Sequence, residues 1–464
     1  MLNLFLASVA FLPIQLGWRN GTPSPILDGD PEYLEIYWKA WENAQSSIIE
    51  ETRLGSLPPL FLGPNFAISF DESVAQILYL RWAYQALPLE QTLQFVLSKI
   101  ASNGQVFSHL NLETLEMSGT AKGIPLTGLA LWSLYQFTGK IEFLRLSIAA
   151  GIRRHALFQD AYKSVTKSRC LPLDYRPFIG TLPDEKLPDS AEATSLLLLD
   201  AHFLMRCADV SKIKGGQSVL NKMRDEELIR LGKMWDTEAG FYRSSNKEKT
   251  IFEPISIIPI WAIITEAIPS SNAETMLKKL SQPDYFSARM PYPSVPASYA
   301  VSSPINPLHA YFCIRSLLVS GKRSEAGYAA ESMLSAYVRE AGTTKTLFFP
   351  FNSDTRAPTP LAERNSLQAG HVAIGVLLEA VLGFEVSAED NLVTWSIWRT
   401  DRHGIERLRF GTNNVSLVCS ERASRSAPIE LRIEAEKPFL LRVKSNSYDK
   451  VHKIQTGINR LNLG

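Results

Sequence analysis

Eleven carboxylates lie in or beside the long segments that separate the apolar, periodic stretches of this chain: Asp71, Glu113, Glu116, Asp174, Asp184, Glu185, Asp189, Glu253, Asp284, Asp354 and Glu363. Two carboxyl groups on opposite sides of one bond can cleave a glycosidic linkage, one protonating the leaving oxygen and the other activating water. Most acidic residues in such segments have a plainer use. Asp71 and Asp189 stand where helices begin, and a carboxylate there caps or complements the helix dipole. Asp174 differs, because it sits within Pro172-Leu-Asp-Tyr-Arg-Pro177 with no helix to cap. Its plain alternative is an ion pair with Arg176 or another arginine. Aromatic residues suited to stacking on sugar rings share these segments: Tyr175, Phe178, Tyr292, Tyr299, Phe348, Phe349 and Phe351. The phenylalanines equally suit an apolar plug.

Other chemistries find little support. The seven histidines (109, 155, 202, 309, 371, 403 and 452) show no metal-site spacing, and His309 and His371 read as structural residues near helix starts. No GxSxG elbow, P-loop or dinucleotide fingerprint occurs. Cys170, Cys207, Cys313 and Cys419 are isolated, which argues against a zinc site or a disulfide framework and for a reducing, cytoplasmic compartment. A formal net charge of +1 offers no drive toward nucleic acid or an anionic membrane. Met1–Pro13 is apolar but lacks a preceding basic residue, so it reads as a strand or tucked arm rather than a signal peptide. No apolar run reaches the ~20 residues that span a bilayer.

The elements that would position the loop residues come from periodicity. Apolar residues at three- and four-residue spacing predict twelve helices, at 33–50, 71–87, 90–100, 123–137, 141–155, 189–208, 218–234, 254–267, 272–281, 305–319, 323–340 and 366–382. Ser69-Phe-Asp-Glu72 and Asp189-Ser-Ala-Glu192 have capping-box spacing, and Asn306-Pro307 offers a cap followed by proline. Short links, of roughly two to nine residues, alternate strictly with long ones of roughly 18 to 33. Strict alternation sends every long loop to one side, and twelve helices paired this way predict an (α/α)6 toroid with the even-numbered helices inside. The fold class is therefore mostly α, with a cup at the N-terminal ends of the inner helices. After Gly383 the pattern alternates with period two at 391–399, 404–411, 415–421, 429–436 and 439–445, which predicts a small C-terminal β-sandwich. The expected organisation is an arm over 1–30, the toroid over 31–385 and the sandwich over 386–464. Trp395 and Trp398 are three apart, on opposite faces of a regular strand, and so do not form one stacking platform.

Over roughly residues 30–385 the chain resembles the six-hairpin glycosidases, in particular the group of trehalases, mannosylglycerate hydrolases and processing glucosidase I. "DPEYLEIYWKAWENAQSSI" resembles that family's opening helix, and "ISFDESVAQILYL" its Trp-Asp-Ser-x-Phe motif. "NGQVFSH" sits where the family has its Asp-Gly segment, and "GIPLTGLALWSLYQFTGK" is similar to its Gln/Asn-Pro-Pro helix. "PDSAEATSLLLLDAHFLMRCA" and "KMWDTEAGFYRS" resemble the following helix pair. The resemblance implies that Asp71 binds a sugar hydroxyl and that Asp174, in "LDYRP", is the general acid. Tyr175, Arg176 and Tyr299 would line the sugar site. Two positions depart from the pattern. Phe349, in "TLFFPFNSD", falls where the family carries its basic glutamate, and "YAVSS" at 299–303 lacks the sugar-binding arginine. Either Asp354 or Glu363 then serves as base, or the site binds sugar without cleaving it, or the reaction differs. The implied reaction is inverting hydrolysis of a small α-linked glucoside, which needs no metal or organic cofactor. The expected partner is a small carbohydrate, with no nucleic acid and no membrane.

Overall fold

The computed structural model describes residues 18–49, 60–61, 67–111, 116–120, 124–161, 190–213, 216–245, 251, 255–296, 304–364, 366–446 and 448–463. Apart from short 3-10 turns, twelve helical segments occur among them, one at each predicted stretch. They are α1 (Glu32–Ser46), α2 (Phe70–Leu80), α3 (Leu89–Ser98), α4 (Thr127–Thr138), α5 (Ile141–Ala161), α6 (Ala191–Ser211), α7 (Gly216–Gly232), α8 (Ile258–Thr265), α9 (Ser270–Leu280), α10 (Pro307–Val319), α11 (Arg323–Thr344) and α12 (His371–Val381). The caps fall close to expectation. Asn306 Oδ1 accepts from Leu308 N at 2.9 Å, with Pro307 in the first turn of α10. At α6 the cap is Ser190 rather than Asp189, its Oγ accepting from Ala193 N at 3.1 Å.

The even-numbered helices pack in cyclic order. α2 lies against α4, α4 against α6, α6 against α8, α8 against α10 and α10 against α12, and α12 returns to α2. The odd-numbered helices flank them: α3 on α2, α5 on α4 and α6, α7 on α6, α9 on α8, and α11 on α10 and α12. This inside–outside division is written in the side chains. Nearly every residue of α4 is buried, and all of α8 and α12 are, whereas α7 buries only Leu220, Glu227 and Leu231. A helix that is apolar all round must be enclosed on every side.

Two inner segments depart from α geometry. The fourteen-residue helix expected at 254–267 is a 3-10 segment of eight residues, IPIWAIIT. Pro259 and a high content of β-branched isoleucine disfavour a long α-helix, and the short segment is fully buried. The helix expected from 366 begins as a separate turn at Leu367–Ala369, capped by Ser366, and α12 itself winds as a π-helix. Two glycines let aromatic rings close on it. A Cβ at Gly370 would stand 2.4 Å from the Tyr79 ring, and one at Gly375 would stand 2.9 Å from Tyr311.

The strands after α12 form two facing sheets. With β1 (Ser24–Leu27), β2 (Ala67–Ser69), β3 (Phe107–Asn111), β4 (Met117–Thr120), β5 (Pro304–Ile305), β6 (Phe348–Asn352) and β7 (Pro358–Arg364) preceding them, they are β8 (Phe384–Ser387), β9 (Leu392–Ser396), β10 (His403–Phe410), β11 (Asn413–Cys419), β12 (Ile429–Ala435), β13 (Phe439–Lys444), β14 (Asp449–Ile454) and β15 (Gly457–Leu463). One sheet runs β1-β10-β11-β12-β15 and the other β8-β9-β13-β14. β11, β12 and β13 bury alternate residues, and Phe410 meets Phe439 across the two sheets with ring centroids 5.7 Å apart. The five strands expected from the sequence are all present. β1, β8, β14 and β15 are additional, and each is an edge strand of its sheet. An edge strand need not alternate cleanly, and one such as β1 tolerates Pro25.

This sandwich seats on the C-terminal ends of the inner helices α4 and α12. Ala388 N and Gly411 N donate to Gln136 O and Phe137 O at the end of α4, each at 2.7 Å. Trp395 Nε1 donates to Leu382 O at 3.0 Å, and Trp398 Nε1 reaches Ala380 O and Val381 O at 3.1 and 2.9 Å. The last carbonyls of a helix lack partners within it, and a buried end must find them elsewhere. Both tryptophans are buried and neither offers a sugar-stacking face. Replacing Trp395 by Phe keeps most of its apolar volume but removes the donor. The variant is expected to lose about 1–3 kcal/mol of unfolding free energy in urea titrations. A loss indistinguishable from zero would show that the indole N–H does not hold this junction.

Candidate functional site

The N-terminal ends of the inner helices face away from the sandwich, and the long loops meet there in pairs. β2, β3 and β4, which precede α2 and α4, form one three-stranded sheet. β5, β6 and β7, which precede α10 and α12, form another. Ile257 N donates to Ser294 O at 3.2 Å, joining the loops before α8 and α10. A fourth junction is built from side chains. Glu192, in the first turn of α6, is buried and accepts from the hydroxyls of Ser190 and Ser244, while Ser244 Oγ accepts from Ala191 N. The sequence marks Glu192 only as half of a capping box. Its enclosure by two hydroxyls makes it a clasp between the loops before α6 and α8.

Asp71 occupies the first turn of α2 with its side chain 23% exposed. Its Oδ1 stands 3.9 Å from Nη2 of Arg154, a fully buried arginine of α5. That guanidinium lies over the Phe70 and Phe158 rings, at 5.1 and 4.3 Å from their centroids, and Nη1 reaches Gly104 O at 3.4 Å. Helix dipole and guanidinium both favour a negative charge at this position. Asp354 lies at the turn joining β6 to β7. Asn352 Oδ1 accepts from Asp354 N at 2.9 Å and from Thr355 N at 3.0 Å, and Arg339 of the outer helix α11 donates to the carbonyls of Thr355 and Arg356. Glu363 is the cross-strand neighbour of Phe349 in the β6–β7 ladder. Asp174, Tyr175, Arg176 and Tyr299 lie outside the described residues. Of the seven expected site residues, Asp71 belongs to the β2-β3-β4 side of this face, and Asp354 and Glu363 to the β5-β6-β7 side. Phe348 and Phe351 are buried, and Phe351 packs on Tyr337 of α11 at 4.5 Å between ring centroids, toward the outer layer.

The two histidines near helix starts are both fully buried. His309 Nδ1 meets Ser294 Oγ at 3.4 Å, and its ring stands edge-on to Trp261. His371 places Nδ1 3.0 Å from Gln368 O and Nε2 3.1 Å from Ala75 O. Two carbonyl neighbours favour the doubly protonated ring, but burial outweighs them and pushes its pKa down to about 4. Among the described residues no group of His, Cys, Asp or Glu side chains is arranged to hold a metal ion, and no helix is long and apolar enough to cross a membrane.

The fold is similar to that of glycosidases of the six-hairpin type. Mannosylglycerate hydrolase of family GH63 from Thermus thermophilus, solved with glucose, matches with a TM-score of 0.55 at 13% identity, covering 74% of this chain and 99% of that one. An α-L-rhamnosidase from Dictyoglumus thermophilum matches with a TM-score of 0.63 at 12% identity, over 95% of this chain and 50% of that one. A sialidase matches with a TM-score of 0.68 at 11% identity, over 90% of this chain and 41% of that one. At such identities the likeness is one of fold. In sequence, an uncharacterized protein of Borreliella burgdorferi is 21% identical over 285 residues, and the match spans 57% of this chain and 60% of that protein. No protein-family model matches the chain.

The buried histidines carry a pH dependence. His403, in the sandwich, is also pushed down to about 4 by burial. In the unfolded chain His371 and His403 both titrate near 6.5. Between about pH 6.5 and 4 the unfolded chain therefore binds protons that the native state refuses. Stability falls as pH drops through that window, by up to about 1.4 kcal/mol per pH unit for each histidine. Urea titrations from pH 7 to pH 5 are expected to show a shallower pH slope for His371→Gln than for wild type. Equal slopes would mean that the ring is charged in the native state.

Proposed function

We propose that this chain is a glycoside hydrolase-like protein that hydrolyses a small α-linked glucoside or related sugar with inversion. In this reading the cyclic contacts of the even helices close as an (α/α)6 toroid, and the cup between the loop sheets receives the sugar. Asp174 donates the proton to the leaving oxygen. Asp71, fixed at the start of α2 beside Arg154, accepts from a sugar hydroxyl, with Tyr175, Arg176 and Tyr299 lining the site. The base activates water from the far side of the sugar, which requires the two carboxyls to stand roughly 6.5 to 9.5 Å apart. One observation carries the choice of base: Glu363 is paired in register with Phe349, the position at which the resembled glycosidases carry theirs. Asp354 sits at the far turn of the same hairpin, against the outer helix α11. We therefore assign the base to Glu363 ahead of Asp354. A compartment with reduced thiols, the cytoplasm, fits the free and buried Cys207, Cys313 and Cys419.

A second reading, a carbohydrate-binding protein without hydrolytic activity, is favoured by the phenylalanine at 349. The two are separated by assaying purified protein on trehalose, glucosylglycerol, glucosylglycerate and mannosylglycerate, with the anomer of the released sugar followed by NMR. The hydrolase reading predicts release of the inverted anomer, with Asp174→Asn and Glu363→Gln each lowering kcat by about 10²–10⁴. Asp354→Asn is expected to stay within about tenfold of wild type. Binding of these sugars without release of product would establish the second reading. Full activity in Glu363→Gln with loss in Asp354→Asn would move the base to Asp354.

A further inference from the structure

Three arginines from separate parts of the chain meet where the turn between β6 and β7 lies against the outer helix α11. They are Arg289 in the loop before α10, Arg339 on α11 and Arg356 in the turn itself. Contacts to the backbone knit the three segments together. Met290 N donates to Ser353 O at 2.9 Å, and Ser332 Oγ of α11 donates to Arg289 O at 3.4 Å. Arg356 Nε donates to Arg289 O at 2.9 Å, and Arg339 Nη2 donates to Thr355 O at 3.1 Å and to Arg356 O. Carbonyl groups therefore hold two of the three guanidiniums, and a carbonyl brings no net charge to balance them.

The cluster lacks negative charge. Among the described residues its one ion pair joins Arg339 Nε to Glu340 Oε1 at 3.0 Å. Arg289 and Arg356 have none, and Asp354, two residues before Arg356, pairs with none of the three. Burial, and after it the charges of Arg289 and Arg339, pull Arg356 below the usual arginine range. The turn carries a second cost. Arg356 has a φ of 57°, in the left-handed region where a residue with a Cβ is disfavoured. Like charges held together and a disfavoured backbone both cost free energy. An anion among the guanidiniums would offset the first cost, and it would account for an arginine at the strained position.

Charge decides the ligand class. Arg289 and Arg339 are exposed, so a solute reaches the group from solvent. Three positive charges less the one that Glu340 balances leave two. A phosphate monoester, with about 1.5 to 2 negative charges at pH 7, matches that excess. Its oxygens also fit the parallel N–H groups of a guanidinium. A carboxylate would balance only half of the excess, and a neutral sugar none of it.

We propose that Arg289, Arg339 and Arg356 form a binding site for the phosphate group of a small molecule. The site goes beyond the hydrolase reading and does not rest on it. Calorimetric titration of the full chain at low salt with inorganic phosphate, D-glucose 6-phosphate and D-glucose tests it. Arg289→Gln removes an exposed guanidinium that makes no ion pair among the described residues. Arg356→Gly removes another and relaxes the left-handed turn. Arg432→Gln, on the sandwich with its side chain 58% exposed, controls for net charge alone. At least one phosphate compound is expected to bind in the millimolar range or tighter. Arg289→Gln and Arg356→Gly are each expected to weaken it about tenfold or more, and Arg432→Gln to leave it unchanged. Arg356→Gly is expected not to lower the urea midpoint, which separates loss of the site from loss of the fold. Tighter binding of the ester than of inorganic phosphate would make a phosphorylated small molecule the ligand, and equal binding would make it free phosphate; either result upholds the site. Absence of binding by both phosphate compounds, equal binding of D-glucose, or equal weakening in Arg432→Gln would overturn the proposal.

Discussion

The inner helices of this protein are mostly buried, α8 and α12 throughout, so backbone groups at their enclosed ends have no water to turn to. An unpaired amide or carbonyl there would cost free energy comparable to a lost hydrogen bond. The fold answers at both ends with different material. At the N-terminal ends the answer is local: Ser190 and Asn306 cap α6 and α10 from the residue just before each helix. At the C-terminal ends it is distant. Residues 388, 395, 398 and 411 of the sandwich supply the donors for carbonyls of α4 and for those at and just after the end of α12. The sandwich is thus a cover on one end of the helical array, which leaves the other end to the loops.

Ionic and polar clasps hold the layers in register. Asp200, buried in α6, accepts from Gly128 N at the start of α4 at 2.7 Å and meets His155 Nδ1 of α5 at 2.8 Å, so one carboxylate fixes three helices. Arg399 does the same between the sandwich and the helices, reaching Asp30, Glu331 and Asp401. A buried charge of this kind adds little net stability against an apolar alternative, but removing one partner strands the other. Such clasps fix relative position, and the loop face inherits its geometry from them.

Much of the helical architecture was legible because burial leaves a periodic trace. Helices such as α1, α3 and α9 carry the two-sided pattern of a layer exposed on one face, and short and long links alternate visibly between the pairs. The elements that escaped are those whose cause lies elsewhere in the molecule. The π-winding of α12 is one, and the packing of the Tyr79 and Tyr311 rings against Gly370 and Gly375 is another. The strands β14 and β15 each bury only their last residue, so no apolar alternation announces them.

The candidate site divides in the same way. Sequence by itself determined which residue types are present: the carboxylates at 71, 174, 354 and 363, the phenylalanine at 349, and the loops that carry them. These are local properties, fixed by composition and by position relative to helix starts. Only the tertiary structure decided that Glu363 pairs with Phe349 across a hairpin, that Asp71 faces a buried arginine from another helix, and that Arg81, Arg315 and Glu379 meet beneath the sandwich. Each of those pairings joins distant parts of the chain or depends on a ladder register. Register and helix packing are set by the burial of many side chains at once, and no local pattern in the sequence encodes them.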